Sequence, residues 1–211
     1  MDVTKYEKLT SRVLKALEEV STENSRHMGF SGMAEQLGCR HATGYTRHAF
    51  IFDKFGVVYK FPRSDEEHKI DYCEIEVRNY LRAKEYRVEK LLLPIAYVGK
   101  TKGGLPVYIQ PVCTKSIDKM HFSEREKFDK RVQEKSNVVL IRKIRRACYD
   151  GGVNITWVAR ATQLYGKKFM RSFERWSVEC KVNDLHEANV GYIAGSKPII
   201  LDYAGFQGYD Y

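Results

Sequence analysis

Apolar residues recur at helical spacing from the start of the chain. Tyr6, Leu9, Val13, Leu14, Leu17 and Val20 fall mostly three and four positions apart, which predicts an amphipathic helix. The polar run Ser21–Ser31 predicts a linker. A stretch with strand character follows. Tyr45–Phe52 and Val57–Phe61 are rich in aromatic and β-branched residues and flank the turn Asp53-Lys54-Phe55-Gly56, which predicts a hairpin closed by Pro62. From Glu66 to Lys84 the helical period returns, with Ile70, Cys73, Val77, Tyr80, Leu81 and Lys84 on one face. Past Pro94, strands are expected over Ile95–Val98 and Leu105–Val112, joined by the turn Gly99–Gly104 and ended by Pro111. Ser123–Cys180 reads as helices interrupted near Asp150-Gly151-Gly152, the last carrying Leu164, Phe169, Phe173, Trp176 and Val178. A final hairpin pairs Val190–Ile193 with Ile199–Leu201 around Ala194–Pro198. The expected class is α+β. It comprises a helix and linker over 1–30, a β-rich part over 31–112 and a helical part with a terminal hairpin over 113–211.

The candidate chemistry lies at that last hairpin. Val182-Asn183-Asp184-Leu185-His186-Glu187-Ala188-Asn189 precedes it, and Asp202-Tyr203-Ala204-Gly205 follows thirteen positions after Asn189. A turn-borne Asp and Asn facing a second Asp can serve metal-assisted phosphoryl transfer. One carboxylate accepts the proton of an attacking hydroxyl, and a carboxamide and another carboxylate offer hard oxygen to a hard cation. Taken singly, such residues are ordinary turn chemistry, because Asp and Asn bond their own backbones there. Their order and spacing along the chain give them weight.

Asp184-Leu185-His186-x-x-Asn189, a hairpin, then Asp202-x-x-Gly205 resembles the catalytic and metal-binding loops of the protein-kinase-like superfamily. His186, two positions after Asp184, matches the version found in aminoglycoside and choline kinases and in the small kinases of tailed bacteriophages. The phage kinases look closest. The resemblance implies a bilobal fold, with a small antiparallel sheet lobe that binds nucleotide and a helical lobe, shortened at the C-terminus. It implies ATP and Mg2+ as cofactors, Asp184 as catalytic base, Asp202 as the main metal ligand and Asn189 as the second. Val57-Val58-Tyr59-Lys60-Phe61 then looks like the strand whose Lys60 pairs the phosphates. Gly44, Tyr45, Thr46 and Arg47 stand where a glycine turn covers phosphate, although further glycines are missing, and Thr46 and Arg47 are placed to contact phosphate directly. A glutamate on the next helix is expected to orient Lys60. Glu74 and Glu76 both flank the apolar face, and Glu76 is preferred because Tyr80 and Leu81 follow it as packing residues. Gln110 to Cys113, with Val112 among them, would line the adenine.

Composition narrows the picture only a little. The 211 residues are 43% hydrophobic and 30% charged, ordinary for a globular chain. The opening residues lack a signal-peptide plan and no apolar run approaches ~18 residues, so a soluble cytoplasmic protein with no membrane partner is expected. The five cysteines form no CxxC pair and are expected to be reduced and mostly buried. His186 is expected to hydrogen-bond within its loop, and His41 and His48 to lie at the surface. The net charge of +9 concentrates in Lys130–Arg146. A solvated helix face accounts for that stretch better than nucleic acid, which remains a less favoured partner. The expected activity is transfer of phosphate from ATP to protein hydroxyls, with host or defence proteins in the host cytoplasm as substrates if the phage resemblance holds. Two alternatives remain: a small-molecule phosphotransferase, and a non-catalytic, pseudokinase-like protein that occupies a partner.

Overall fold

The structure is a computed structural model of the chain, and it describes residues 1–63, 71–113, 115–116, 155–182, 184–186, 189–193 and 197–205. The basic stretch Lys130–Arg146 and the break expected at Asp150–Gly152 lie outside the described residues. Among the described residues the architecture is α+β, with antiparallel sheets and four helices, and no helix is long and apolar enough to cross a membrane. The chain divides into two compact units. The first comprises Met1–Val77 and Pro94–Val112, and the second Arg78–Leu93 and Cys113–Tyr211.

The first unit is built on a five-stranded antiparallel sheet. Its strands are β1 (Arg40–Thr43), β2 (Arg47–Phe52), β3 (Val57–Pro62), β4 (Ala96–Lys100) and β5 (Pro106–Pro111), in the order β1-β2-β3-β5-β4. Strand alternation gives the sheet two chemically distinct faces. On one face His48, Phe50 and Phe52 of β2 and Val57, Tyr59 and Phe61 of β3 are buried. They form a core with Leu9 and Val13 of α1 (Glu7–Ala16), Leu17 beyond it, and Phe30 and Ala34 of α2 (Phe30–Leu37). Leu9, Val13 and Leu17 are the helical stripe read from the sequence, and Thr10 Oγ1 meets Tyr59 Oη at 2.9 Å across this packing. The opposite face carries Arg47, Lys60 and Tyr108, since Lys60 pairs with Ala49 on one side and Tyr108 on the other.

Two elements depart from the expected linker. Helix α2 begins inside it, and β1 follows before the hairpin. His48 is a correction: at 5% exposure it is buried, because the β2 alternation sets it with Phe50 and Phe52, and its ring stacks against Phe61. The turn between β4 and β5 docks against the end of α1. Gly103 N–H donates to the Glu18 carbonyl, and a Cβ on Gly103 would lie 2.6 Å from the Val20 oxygen, so only glycine allows this approach.

α3 (Tyr72–Glu85) starts one residue after Asp71, whose Oδ1 accepts the N–H groups of Cys73 and Glu74 as an N-cap. Asp71 Oδ2 accepts a 2.6 Å hydrogen bond from Tyr108 on β5, which ties the helix start to the sheet. The buried stripe of α3 runs through Tyr72, Cys73, Ile75, Glu76, Asn79 and Ala83. Leu81 corrects the sequence expectation. It is 55% exposed, because turning Glu76 and Asn79 inward rotates Leu81 onto the same side as Glu74, Arg78 and Glu85.

The second unit contains a three-stranded sheet of β6 (Lys115–Ser116), β7 (Val190–Ile193) and β8 (Lys197–Ile200), and α4 (Ile155–Glu179). α4 is two helical pieces joined at Gly166, whose φ of 82° and ψ of 163° break the helical hydrogen-bond ladder. Trp157, Phe173 and Trp176 are fully buried, whereas Leu164 and Val178, expected on the apolar face, are exposed. Trp157 Nε1–H donates to the Ile199 carbonyl, linking α4 to β8. Pro198, read as a turn residue, lies within β8 and is buried.

Candidate phosphoryl-transfer residues

In the first unit the candidate residues converge on one carboxylate. Glu76 has a fully buried side chain, and Lys60 Nζ donates to its Oε2 at 3.1 Å and to Oε1 at 3.4 Å. Glu76 is thus the glutamate that meets Lys60, and Glu74 is exposed. The pairing has two local causes. Lys60 lies on the sheet face away from the α1–α2 core, and the Asp71 cap and Tyr108 anchor fix where α3 begins. Glu76 then lies four residues, just over one turn, past Tyr72.

A second cation shares that carboxylate, which the sequence reading did not foresee. Arg47 Nη1 lies 3.0 Å from Glu76 Oε1, and the Arg47 and Lys60 side chains are only 13% and 14% exposed. Each oxygen of a buried acid therefore has a basic partner, the condition under which an ionised carboxylate survives burial. Arg47 also closes the preceding turn through its backbone: the Gly44 N–H donates to the Arg47 carbonyl at 2.8 Å. Arg63 adds a hydrogen bond from Nη1 to the Gly44 carbonyl at 3.2 Å. Tyr45, at the tip of the turn, is 85% exposed.

At the end of β5 the predicted adenine-lining residues divide. Gln110 is buried and pairs with Val58 in the sheet, whereas Val112 donates its backbone N–H to the Gly56 carbonyl at 2.9 Å. Beneath the β1–β2 turn, His41 Nε2 and His48 Nδ1 lie 3.2 Å apart. Burial, reinforced by the neighbouring His41 and Arg63, holds His48 down to about 4, and burial also lowers His41.

In the second unit the loop before β7 organises itself through Asn189. Its Nδ2 donates to the Asp184 backbone oxygen at 2.9 Å and to Asp184 Oδ2 at 3.1 Å. Both bonds use the amide nitrogen and leave the carboxamide oxygen out of them. The loop is closed by Asn189 N–H to the His186 carbonyl, and Leu201 N–H returns to the Asn189 carbonyl, tying the loop to the start of the Asp202 segment. His186 is exposed, with Nε2 3.5 Å from Asp184 Oδ1. Asp202 and Asp184 are each partly exposed, and Asp202 Oδ1 accepts from Ala204 N–H at 3.4 Å.

Asn79 of α3 holds the Asp202 segment from within, a role that a lone Asn in a helical run does not signal. It is 3% exposed, and its Nδ2 donates to the Tyr203 carbonyl at 2.8 Å and lies 3.5 Å from that of Cys180. The Asn79 carbonyl accepts from Trp176 Nε1–H, and Tyr203 Oη–H donates to the Leu93 carbonyl. Tyr203, next to Asp202, is therefore held by two buried hydrogen bonds, one at its carbonyl and one at its hydroxyl.

Asp184, Asn189 and Asp202 are all oxygen donors, the chemistry that suits Mg2+. Among the described residues, no cluster of three or more His, Cys, Asp and Glu side chains is placed to hold a metal ion by itself. Of the described cysteines, Cys73 and Cys180 are buried and Cys39 and Cys113 half-buried, all as free thiols. Comparisons of the chain with family models, with curated proteins and with solved structures found no match.

Proposed function

We propose that this chain is a protein-kinase-like phosphotransferase that moves the γ-phosphoryl group of ATP to a hydroxyl, most fittingly one on a protein. The observation that carries the reading is the Lys60–Glu76 ion pair. Its lysine comes from the third strand and its glutamate from the helix that follows, the arrangement of the protein-kinase phosphate clamp. The Asp184–Asn189 loop adds independent support, since its hydrogen bonds hold the Asp184 carboxylate against Asn189.

In this reading Lys60, oriented by Glu76, pairs the α- and β-phosphates. Asp184, held through Oδ2 by Asn189, positions the attacking hydroxyl and takes its proton as the new O–P bond forms and the bond to the β-phosphate oxygen breaks. Asn189 and Asp202 would hold magnesium, which neutralises charge building on the phosphate oxygens. The resemblance to phage kinases makes host or defence proteins in the bacterial cytoplasm the expected acceptors.

One observation favours a non-catalytic binding protein instead. The Val112 N–H, a backbone donor an adenine could use, is already committed to the Gly56 carbonyl.

The test is incubation of the purified protein with magnesium and γ-labelled ATP, with and without bacterial lysate, beside an Asp184→Asn variant. Wild-type labelling of protein should fall at least ~100-fold in the variant, the low end for removing a positioned base, while ATP still raises the variant's melting temperature. ATP binding without transfer by the wild type would favour the binding protein. No ATP binding would overturn the nucleotide reading.

A further inference from the structure

We infer that Arg47 is a positioning residue that couples the Gly44–Thr46 turn to the Lys60–Glu76 pair, acting on nucleotide through Glu76 rather than by touching phosphate. The inference rests on the phosphotransferase reading and deepens it.

Two opposite ends of one residue carry the argument. The Arg47 carbonyl accepts the Gly44 N–H at 2.8 Å and so sets the closure of the turn. Its guanidinium reaches 3.0 Å from Glu76 Oε1, on a carboxylate whose other oxygen holds Lys60 at 3.1 Å. β2 makes both contacts possible. It lies beside β3 with Ala49 opposite Lys60 and Arg47 opposite Pro62, so Arg47 and Lys60 share one sheet face two registers apart. Glu76 is fully buried and the two cations are mostly so, which leaves little water to screen either pair.

The consequence is mechanical. A carboxylate with one basic partner can rotate about its side-chain torsions and carry the lysine with it. A second cation on the same carboxylate, supplied by the neighbouring strand, opposes that rotation by charge attraction. Arg suits this post because its planar, forked guanidinium loses less freedom per bond than an ammonium on a flexible stem. Movement of α3 that displaces Glu76 must then also pull on the strand that closes the turn. The turn, the lysine and the helix respond together, and a turn poor in glycine gains a tether it would otherwise lack.

The test is a double-mutant cycle on the full chain: wild type, Arg47→Gln, Glu76→Gln, both together, and Arg47→Lys. Two quantities are read for each, the urea midpoint without nucleotide and the Mg-ATP concentration at half-saturation of binding, fitted from how the melting temperature rises with ligand. Arg47→Gln should raise half-saturation about tenfold, equivalent to about 1.4 kcal/mol, and Arg47→Lys should restore it only in part. In the Glu76→Gln background the same Arg47→Gln change should add less than about twofold, because the route from Arg47 to Lys60 is already broken.

A loss that multiplies equally in both backgrounds would mean Arg47 touches phosphate and would overturn the inference. So would a fall in urea midpoint with half-saturation unchanged, which is the mark of a purely structural ion pair. A wild type with no response to Mg-ATP would overturn the phosphotransferase reading, and this inference with it. A wild type that responds while Arg47→Gln matches it would remove the inference alone.

Discussion

Asn79→Asp changes almost no volume but reverses the hydrogen-bond chemistry beneath the Asp202 segment. In the wild type an amide N–H donates to the Tyr203 carbonyl at 2.8 Å, in a site 3% exposed, with the Cys180 carbonyl at 3.5 Å. An ionised carboxylate there faces two carbonyl oxygens and has no proton to give. Losing the hydrogen bond to the Tyr203 carbonyl inside a buried site costs about 1–3 kcal/mol. Burial beside two carbonyl dipoles also raises the new carboxyl's pKa, by about 3 units if it follows other fully buried acids, or about 4 kcal/mol at pH 8. These are two views of one loss, so the expected deficit against wild type is about 4 kcal/mol rather than their sum.

The sign of the pH dependence is fixed by the direction of that shift. A carboxyl whose folded pKa lies above its unfolded value near ~3.9 is bound to its proton more tightly in the folded state. The protonated form can donate to Tyr203, so the deficit is small below about pH 4 and grows by about 1.4 kcal/mol per pH unit toward neutrality. It should level off above about pH 7. Urea unfolding followed by tryptophan fluorescence suits the question, because both tryptophans lie in the second unit and Trp176 itself donates to the Asn79 carbonyl. Asn79→Ala is the control. It should lose about 2 kcal/mol, from the missing bond, with no extra dependence on pH. A deficit under about 1 kcal/mol for Asn79→Asp at pH 8, or one that does not shrink on acidification, would refute the claim that this amide holds the Asp202 segment.

Two further tests concern the first unit. His48 is held down to about 4 by burial, so its folded pKa lies below the unfolded value near ~6.5. The stability it contributes is present above about pH 6.5 and is lost as pH falls toward 4, at up to about 1.4 kcal/mol per pH unit. His48→Gln should flatten the unfolding free energy in that window, and an unchanged acid limb would show that other groups carry it. Tyr108→Phe removes the hydroxyl that donates to Asp71 Oδ2 at 2.6 Å. A hydrogen bond to a carboxylate supports an expected loss of about 2 kcal/mol by chemical denaturation monitored by circular dichroism, and a loss under about 0.5 kcal/mol would mean that the N-cap alone fixes the start of α3.

Local pattern carried much of this protein. The alternation of β2 and β3 around the turn at Gly56, where φ is 65°, is written in consecutive residues, and so are the α1 stripe and the close spacing of Asp184 and Asn189. α2 was also legible, since Phe30, Met33, Ala34 and Leu37 repeat at helical spacing, but its eight residues were hidden by the polar run before it. β1 gave less, because an edge strand exposed along most of its length shows no alternation.

What the tertiary structure alone decided are the contacts that place polar groups in the interior. Periodicity assigns Leu81 to the packed face of α3, and a place beside the exposed glycine turn assigns His48 to the surface. Both were reversed once Glu76 found Lys60 and Arg47, Asn79 found Tyr203, and β2 presented alternate residues to the aromatic core. A hydrophobic residue needs only a face, and a sequence period specifies a face. A buried carboxylate or amide needs named partners at hydrogen-bond distance, and Asn79 finds its own 124 positions away, where only the packed chain brings them together.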